Sequence, residues 1–96
     1  MSITHMVLFT LKHAPDSAEE AAFLADGQRI LSALPMVRDF QARRQVGKKN
    51  AYRHCFSMVF DNERDYAAYN GHPNHCAFVR ERWDTEVIDF LEMDLV

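Results

Sequence analysis

Cysteine is scarce in this sequence, and that scarcity is the first constraint. Cys55 and Cys76 are its two cysteines, too few for a disulfide scaffold, and neither has a C-x-x-C partner that would suggest a structural zinc or a redox pair. Reduced thiols, and with them a cytoplasmic location, are expected. Glycine and proline number three each and follow no period, which excludes a collagen-like repeat. Neither sign of charge prevails: the formal net charge of -3 gives no field for nucleic acid or an anionic membrane. Long apolar runs are missing too. The stretch from Met6 to Leu11 is broken by Thr10, has no basic segment before it, and is too short for a signal or transmembrane helix. There is no G-x-G-x-x-G or P-loop for a nucleotide, no G-x-S-x-G elbow, and no cysteine in a basic setting that would lower a thiol pKa.

What is present is ordinary globular composition. Hydrophobic residues make up 48% and charged residues 26%, which argues for a folded chain and against disorder or a coiled coil. The 96 residues suffice for one domain, residues 1–96. A monomer of that size buries only about 60 to 65% of its unfolded surface, so a partner subunit would add core where one chain has little.

Six segments follow. Ile3 to Lys12 is β-branched, aromatic or apolar and reads as a strand, ended by His13-Ala14-Pro15. Asp16 or Ser17 then caps a helix, with Glu19 and Glu20 at the capping-box offset and Phe23, Gly27, Ile30, Leu31 and Leu34 on one face, ended at Leu34-Pro35. Val37 to Val46 is mixed and polar, as in an edge strand, and Gly47 to Asn50 is turn-like. Arg53 to Phe60 is the third strand. Asp61 and Asn62 cap a short helix through Tyr69, with Gly71 placed to end it. Pro73 fits the first turn of another helix running to about Trp83, with His72 held extended before it. Val87 to Leu95 is the last strand, read with Val87, Leu91, Met93 and Leu95 against Ile88 and Phe90. The order β-α-β-β-α-β predicts an α+β, ferredoxin-like fold: one four-stranded antiparallel sheet with helices on one face.

The strands are apolar on both faces. Ile3, His5, Val7, Phe9 and Leu11 lie on one side of the first strand and Met6 and Leu8 on the other; Phe56, Met58 and Phe60 oppose Cys55 and Val59 on the third. Helices cover one face only. The uncovered one, carrying either Val7 and Phe9 or Met6 and Leu8, is expected to close a homodimer by stacking sheet on sheet.

Candidate chemistry is densest from Tyr66 to Phe78. If Pro73 starts a helix, His75 lies in its first turn on the side of Phe78 and Val79 and faces inward, where the helix N-terminus disfavours positive charge and keeps the imidazole available as a general base. Tyr69 ends the preceding helix and can donate a hydrogen bond to a carbonyl becoming an enolate. His5 alternates with core residues and can line the same space. Each has a plainer reading, as a core histidine, a packing tyrosine, or, for His72, a turn or cap residue. Metal ligation by His72, His75 and Cys76 with His5 or His54 matches no established zinc spacing, and none is expected. Arg38, Arg43, Arg44, Lys48, Lys49 and Arg53 cluster as gatekeepers on the edge strand, without the aromatics that nucleic-acid binding needs.

Thr4-His5-Met6-Val7-Leu8-Phe9, Leu34-Pro35-Met36-Val37 and above all Tyr69-Asn70-Gly71-His72-Pro73-Asn74-His75-Cys76-Ala77-Phe78 resemble the stress-responsive A/B barrel domain family over the whole chain. The resemblance implies a dimeric α+β barrel of two ferredoxin-like subunits. A plant polyketide cyclase of that family works without a cofactor through the tyrosine and last histidine of the motif, which match Tyr69 and His75; His5 matches a histidine of its pocket. His72 and Phe78, within the same stretch, are expected to join His5 in substrate binding. The expected function is a small-molecule pocket, acting by cofactor-independent acid–base chemistry on an enolisable carbonyl compound. The alternatives are a non-catalytic stress-associated oligomer and a cofactor-free monooxygenase. No cofactor, metal, nucleic acid or membrane partner is expected.

Overall fold

The computed structural model describes Met1–Val96. Its strands are β1 (Ile3–Leu11), β2 (Arg38–Arg44), β3 (His54–Phe60) and β4 (Val87–Leu95), and its helices α1 (Ala18–Ser32), α2 (Glu63–Gly71) and α3 (Pro73–Phe78); α3 runs on through a π-type segment, Val79–Trp83, and a last helical turn, Asp84–Glu86. The four strands form one antiparallel sheet in the order β2-β3-β1-β4. This is the ferredoxin-like α+β fold. No helix is long and apolar enough to cross a membrane.

α1 starts where Ser17 accepts the Glu20 backbone N–H, and it buries Phe23, Gly27 and Leu31 against the sheet. Glu20 does more than cap. It is buried, and its carboxylate accepts from the Asp16 backbone N–H, Arg53 Nε and His54 Nε2, each at 3.0 Å. The core is aromatic: Phe9, Phe23, Phe56 and Phe60 are fully buried with Met58. At Gly27 a Cβ would come within 2.8 Å of the Phe56 ring, so glycine is what lets α1 approach β3 so closely.

The faces of β1 are now assigned. Ile3, His5, Val7, Phe9 and Leu11 are buried beneath the helices, and Met6 and Leu8 lie on the open face with Leu91, Met93 and Leu95 across the β1–β4 ladder. Val87 is a correction. The pairing slips by one residue between Thr10 and Leu11, so Val87 opposes Leu11 while Phe90 opposes Phe9. The bulge puts Val87 and Phe90 on the helix side together, apart from Leu91, Met93 and Leu95. β2 is shorter than Val37 to Val46 and lies at the sheet edge, bulged between Arg38 and Gln41 with Asp39 at φ 50°. Gly71 is a second correction: it has no positive φ and closes α2 as its last helical residue, while His72, held extended at ψ 133° by the following proline, is the cap.

Candidate functional site

Beneath the helices, a cavity of ≈ 250 Å³ opens between the sheet and the α2–α3 connection. Its floor is His5, Val7, Phe56, Met58, Phe90 and Glu92 from three strands; its roof is Leu31, Tyr69, Asn70, His75, Phe78, Val79, Trp83 and Asp84. Local sequence sets the roof. Asn62 caps α2 by accepting the Asp65 N–H at 2.8 Å, fixing the phase that turns Tyr69 inward. Pro73 starts α3 directly, which brings His75 back against Tyr69 with ring centroids 4.2 Å apart. The wider π-type turn then re-aims the chain so that Trp83 packs on Phe9 at 4.9 Å and on Phe90 at 5.7 Å.

Of the five residues singled out by sequence, four converge: His75, Tyr69, His5 and Phe78 all line the cavity. His72 does not. Its Nδ1 accepts the Asn74 backbone N–H at 3.1 Å, so it caps α3 and spends its lone pair there. No group of three or more His, Cys, Asp or Glu side chains comes close enough to hold a metal ion.

The two catalytic candidates are held in complementary protonation states. Burial pushes the His75 imidazole below its usual pKa, outweighing the opposing Asn70 backbone and Glu92 charge. The neutral form is the one expected from sequence, and burial is its leading cause. His75 Nδ1 is buried without a hydrogen-bond partner in the protein, which costs roughly 1–3 kcal/mol for such a group. Burial is also the main cause that raises the Tyr69 phenol well above its ordinary value, with the charge of Glu92 adding to it. Tyr69 therefore stays a donor throughout the physiological range.

Sequence reasoning passed over the support behind His5. Its Nδ1 lies 2.6 Å from Asp94 Oδ1 on the neighbouring strand, and the Tyr66 hydroxyl donates to Asp94 Oδ2 at 3.0 Å. A carboxylate only accepts, so Nδ1 carries a proton and donates it to Asp94. The Tyr66 phenol is pushed up to about 12, by burial first and Asp94 second. The signal for Asp94 is its register: strand alternation from Phe90 puts Glu92 and Asp94 on the cavity side.

Residues 3–96 match the family model for the stress responsive A/B barrel domain. The chain belongs to this family. The A/B barrel chain is 50% identical to a Dabb family protein with a ferredoxin-like fold from Mesorhizobium loti MAFF303099, with a TM-score of 0.98 over 99% of this chain and 95% of that one. A hydroxynitrile lyase from Passiflora edulis shares the fold at 13% identity, with a TM-score of 0.84 over 98% and 91% of the two chains. A dimeric ferredoxin-like protein from Thermobifida fusca YX does so at 19% identity and 0.78, over 100% and 91%. At such identities the last two speak for the A/B barrel fold alone. No curated protein matches the sequence.

Proposed function

We propose that this chain is a cytoplasmic homodimeric A/B barrel enzyme that binds a small, mostly apolar molecule in the helix–sheet cavity and acts by cofactor-independent acid–base catalysis on an enolisable carbonyl compound. The observation that carries the reading is the packing of His75, whose buried Nδ1 has no protein hydrogen-bond partner, against Tyr69 with ring centroids 4.2 Å apart in a lined cavity. In the proposed step the neutral His75 imidazole takes the proton from the carbon next to the carbonyl. The C–H bond breaks, its electron pair forms the carbon–carbon double bond as the carbonyl π pair moves to oxygen, and the Tyr69 O–H holds the resulting enolate by a hydrogen bond. The imidazolium then returns the proton, or the enolate attacks a second carbonyl of the same molecule and the new alkoxide takes it. His5 and Phe78 shape the pocket beside them.

The dimer is supported by the apolar open face of β1 and β4 and by fold relatives described as dimeric, such as those from Bacteroides fragilis and Thermobifida fusca. The test of turnover is exchange of the hydrogens next to the carbonyl of 1-phenylpropan-2-one in D2O, followed by proton NMR. The expected outcome is catalysed exchange that His75→Ala abolishes and Tyr69→Phe slows by roughly 10²-fold or more. Exchange no faster than in buffer across a series of ketones refutes the acid–base enzyme and leaves the non-catalytic oligomer or the cofactor-free monooxygenase.

A further inference from the structure

The cavity wall carries charge of one sign. Asp84 and Glu92 line it, and no lysine or arginine does. The arginines near them in sequence are committed elsewhere, Arg82 to Asp26 and Glu86 and Arg80 to Glu81, whereas Asp84 and Glu92 have no ion-pair partner. Glu92 stands directly across from Val7 on the cavity floor, and its negative charge is felt by both Tyr69 and His75. Beside these carboxylates, Trp83 and Phe90 meet edge to face at 5.7 Å. Phe90 leaves 48% of its surface exposed although it lines the cavity. Aromatic faces are negative, so they attract a cation for the same reason the carboxylates do, and both repel an anion.

We infer that the cavity selects a ligand bearing a protonated amine, held at the mouth between the Trp83 and Phe90 rings and the Asp84 and Glu92 carboxylates, over its neutral and anionic counterparts. The inference rests on the reading of this cavity as the ligand site, and it narrows the enolisable carbonyl compound to an amino ketone. The volume suits one aromatic ring on a short chain: ≈ 250 Å³ is below the 300–1,000 Å³ usual for larger ligands. An ammonium near the carbonyl also acidifies the hydrogens that His75 is placed to remove.

The chain's single tryptophan, Trp83, lines the cavity and reports occupancy directly. Trp83 fluorescence is titrated at pH 7.5 and low salt with 2-phenylethylamine, 2-phenylethanol and phenylacetate, which differ in charge at nearly constant shape. The amine should bind on the order of tenfold more tightly than the alcohol, and phenylacetate most weakly. Asp84→Asn and Glu92→Gln should each remove about threefold of that preference, and the double variant nearly all of it, while the Asp84→Glu, Glu92→Asp pair keeps the order. Phenylacetate binding as well as the amine, or an amine preference undiminished in the double variant, overturns the inference. Alcohol binding without any charge preference does so too while sparing the cavity reading. No response to any of the three probes overturns both.

Discussion

Replacing Glu20 with glutamine tests whether the buried contact at the base of α1 anchors the sheet. The carboxylate is 8% exposed, and its Oε2 takes both Arg53 Nε and His54 Nε2, whose side chain is 5% exposed. Glutamine keeps an oxygen for the Asp16 N–H but turns an amide donor toward two donors. Arg53 is 28% exposed and also reaches Asp16, so water and that carboxylate absorb most of its loss. His54 has no such outlet. A hydrogen bond to a charged group is worth roughly 1.5–3 kcal/mol, and breaking a buried pair by removing one partner costs more than an exposed one. We expect a loss of about 3 kcal/mol, or roughly 12–24 °C in Tm for a domain of this size. Arg53→Ala should cost under about 1 kcal/mol. Urea denaturation at fixed protomer concentration measures both, since assembly would otherwise shift the midpoint. A Glu20→Gln loss below about 1 kcal/mol, or one equal to that of Arg53→Ala, would refute the reasoning.

Three further outcomes follow. Burial is the leading cause holding both His54 and His75 below their ordinary pKa, so the folded chain binds protons less readily than the unfolded one; stability should be full above about pH 6.5 and fall as pH drops below it, and equal urea midpoints at pH 7.5 and 5 would contradict this. Leu8→Asp puts a charge on the open face opposite Leu91 and should reduce the mass seen by light scattering to that of the monomer, with an unchanged mass counting against that interface. Gly27→Ala sets a methyl 2.8 Å from Phe56 and 3.3 Å from Phe78; overpacking of about 1–3 kcal/mol exceeds the ~1 kcal/mol that alanine gains in a helix. It should therefore destabilise by on the order of 1 kcal/mol and weaken 2-phenylethanol binding, because both rings wall the cavity.

The element order was legible because each boundary has a local chemical cause. Ser17, Asn62 and Pro73 start their helices by groups that the sequence displays. Where boundaries or faces went astray, the cause was pairing. Alternation alone put Val87 with Leu91, and only the ladder to β1, with its extra residue, turns Val87 inward. Likewise Glu20 reads as a cap residue in sequence, since nothing local tells that Arg53 and His54, more than thirty residues on, will converge on its carboxylate. The choice between the two apolar faces of β1 was undecidable from the strand itself, because it depends on where the helices land.

The candidate site divides the same way. Tyr69, His75 and Phe78 lie within ten residues, so helix phase sufficed to bring them together, and His5 followed from strand alternation. The floor contributed by β4 did not, because alternation only set Phe90 apart from Leu91, Met93 and Leu95 and says nothing of which set the helices cover. Yet β4 is where the two proposed roles of the molecule meet. Leu91, Met93 and Leu95 point to the open face while Phe90, Glu92 and Asp94 point to the cavity side, and strand geometry forbids moving one set without the other. A second copy seated on the open face would therefore hold in register the strand that carries the Glu92 charge and the Asp94 support of His5. On that reasoning a Leu8→Asp chain that remains folded but monomeric should lose ligand selectivity along with its partner, although Leu8 faces away from the cavity.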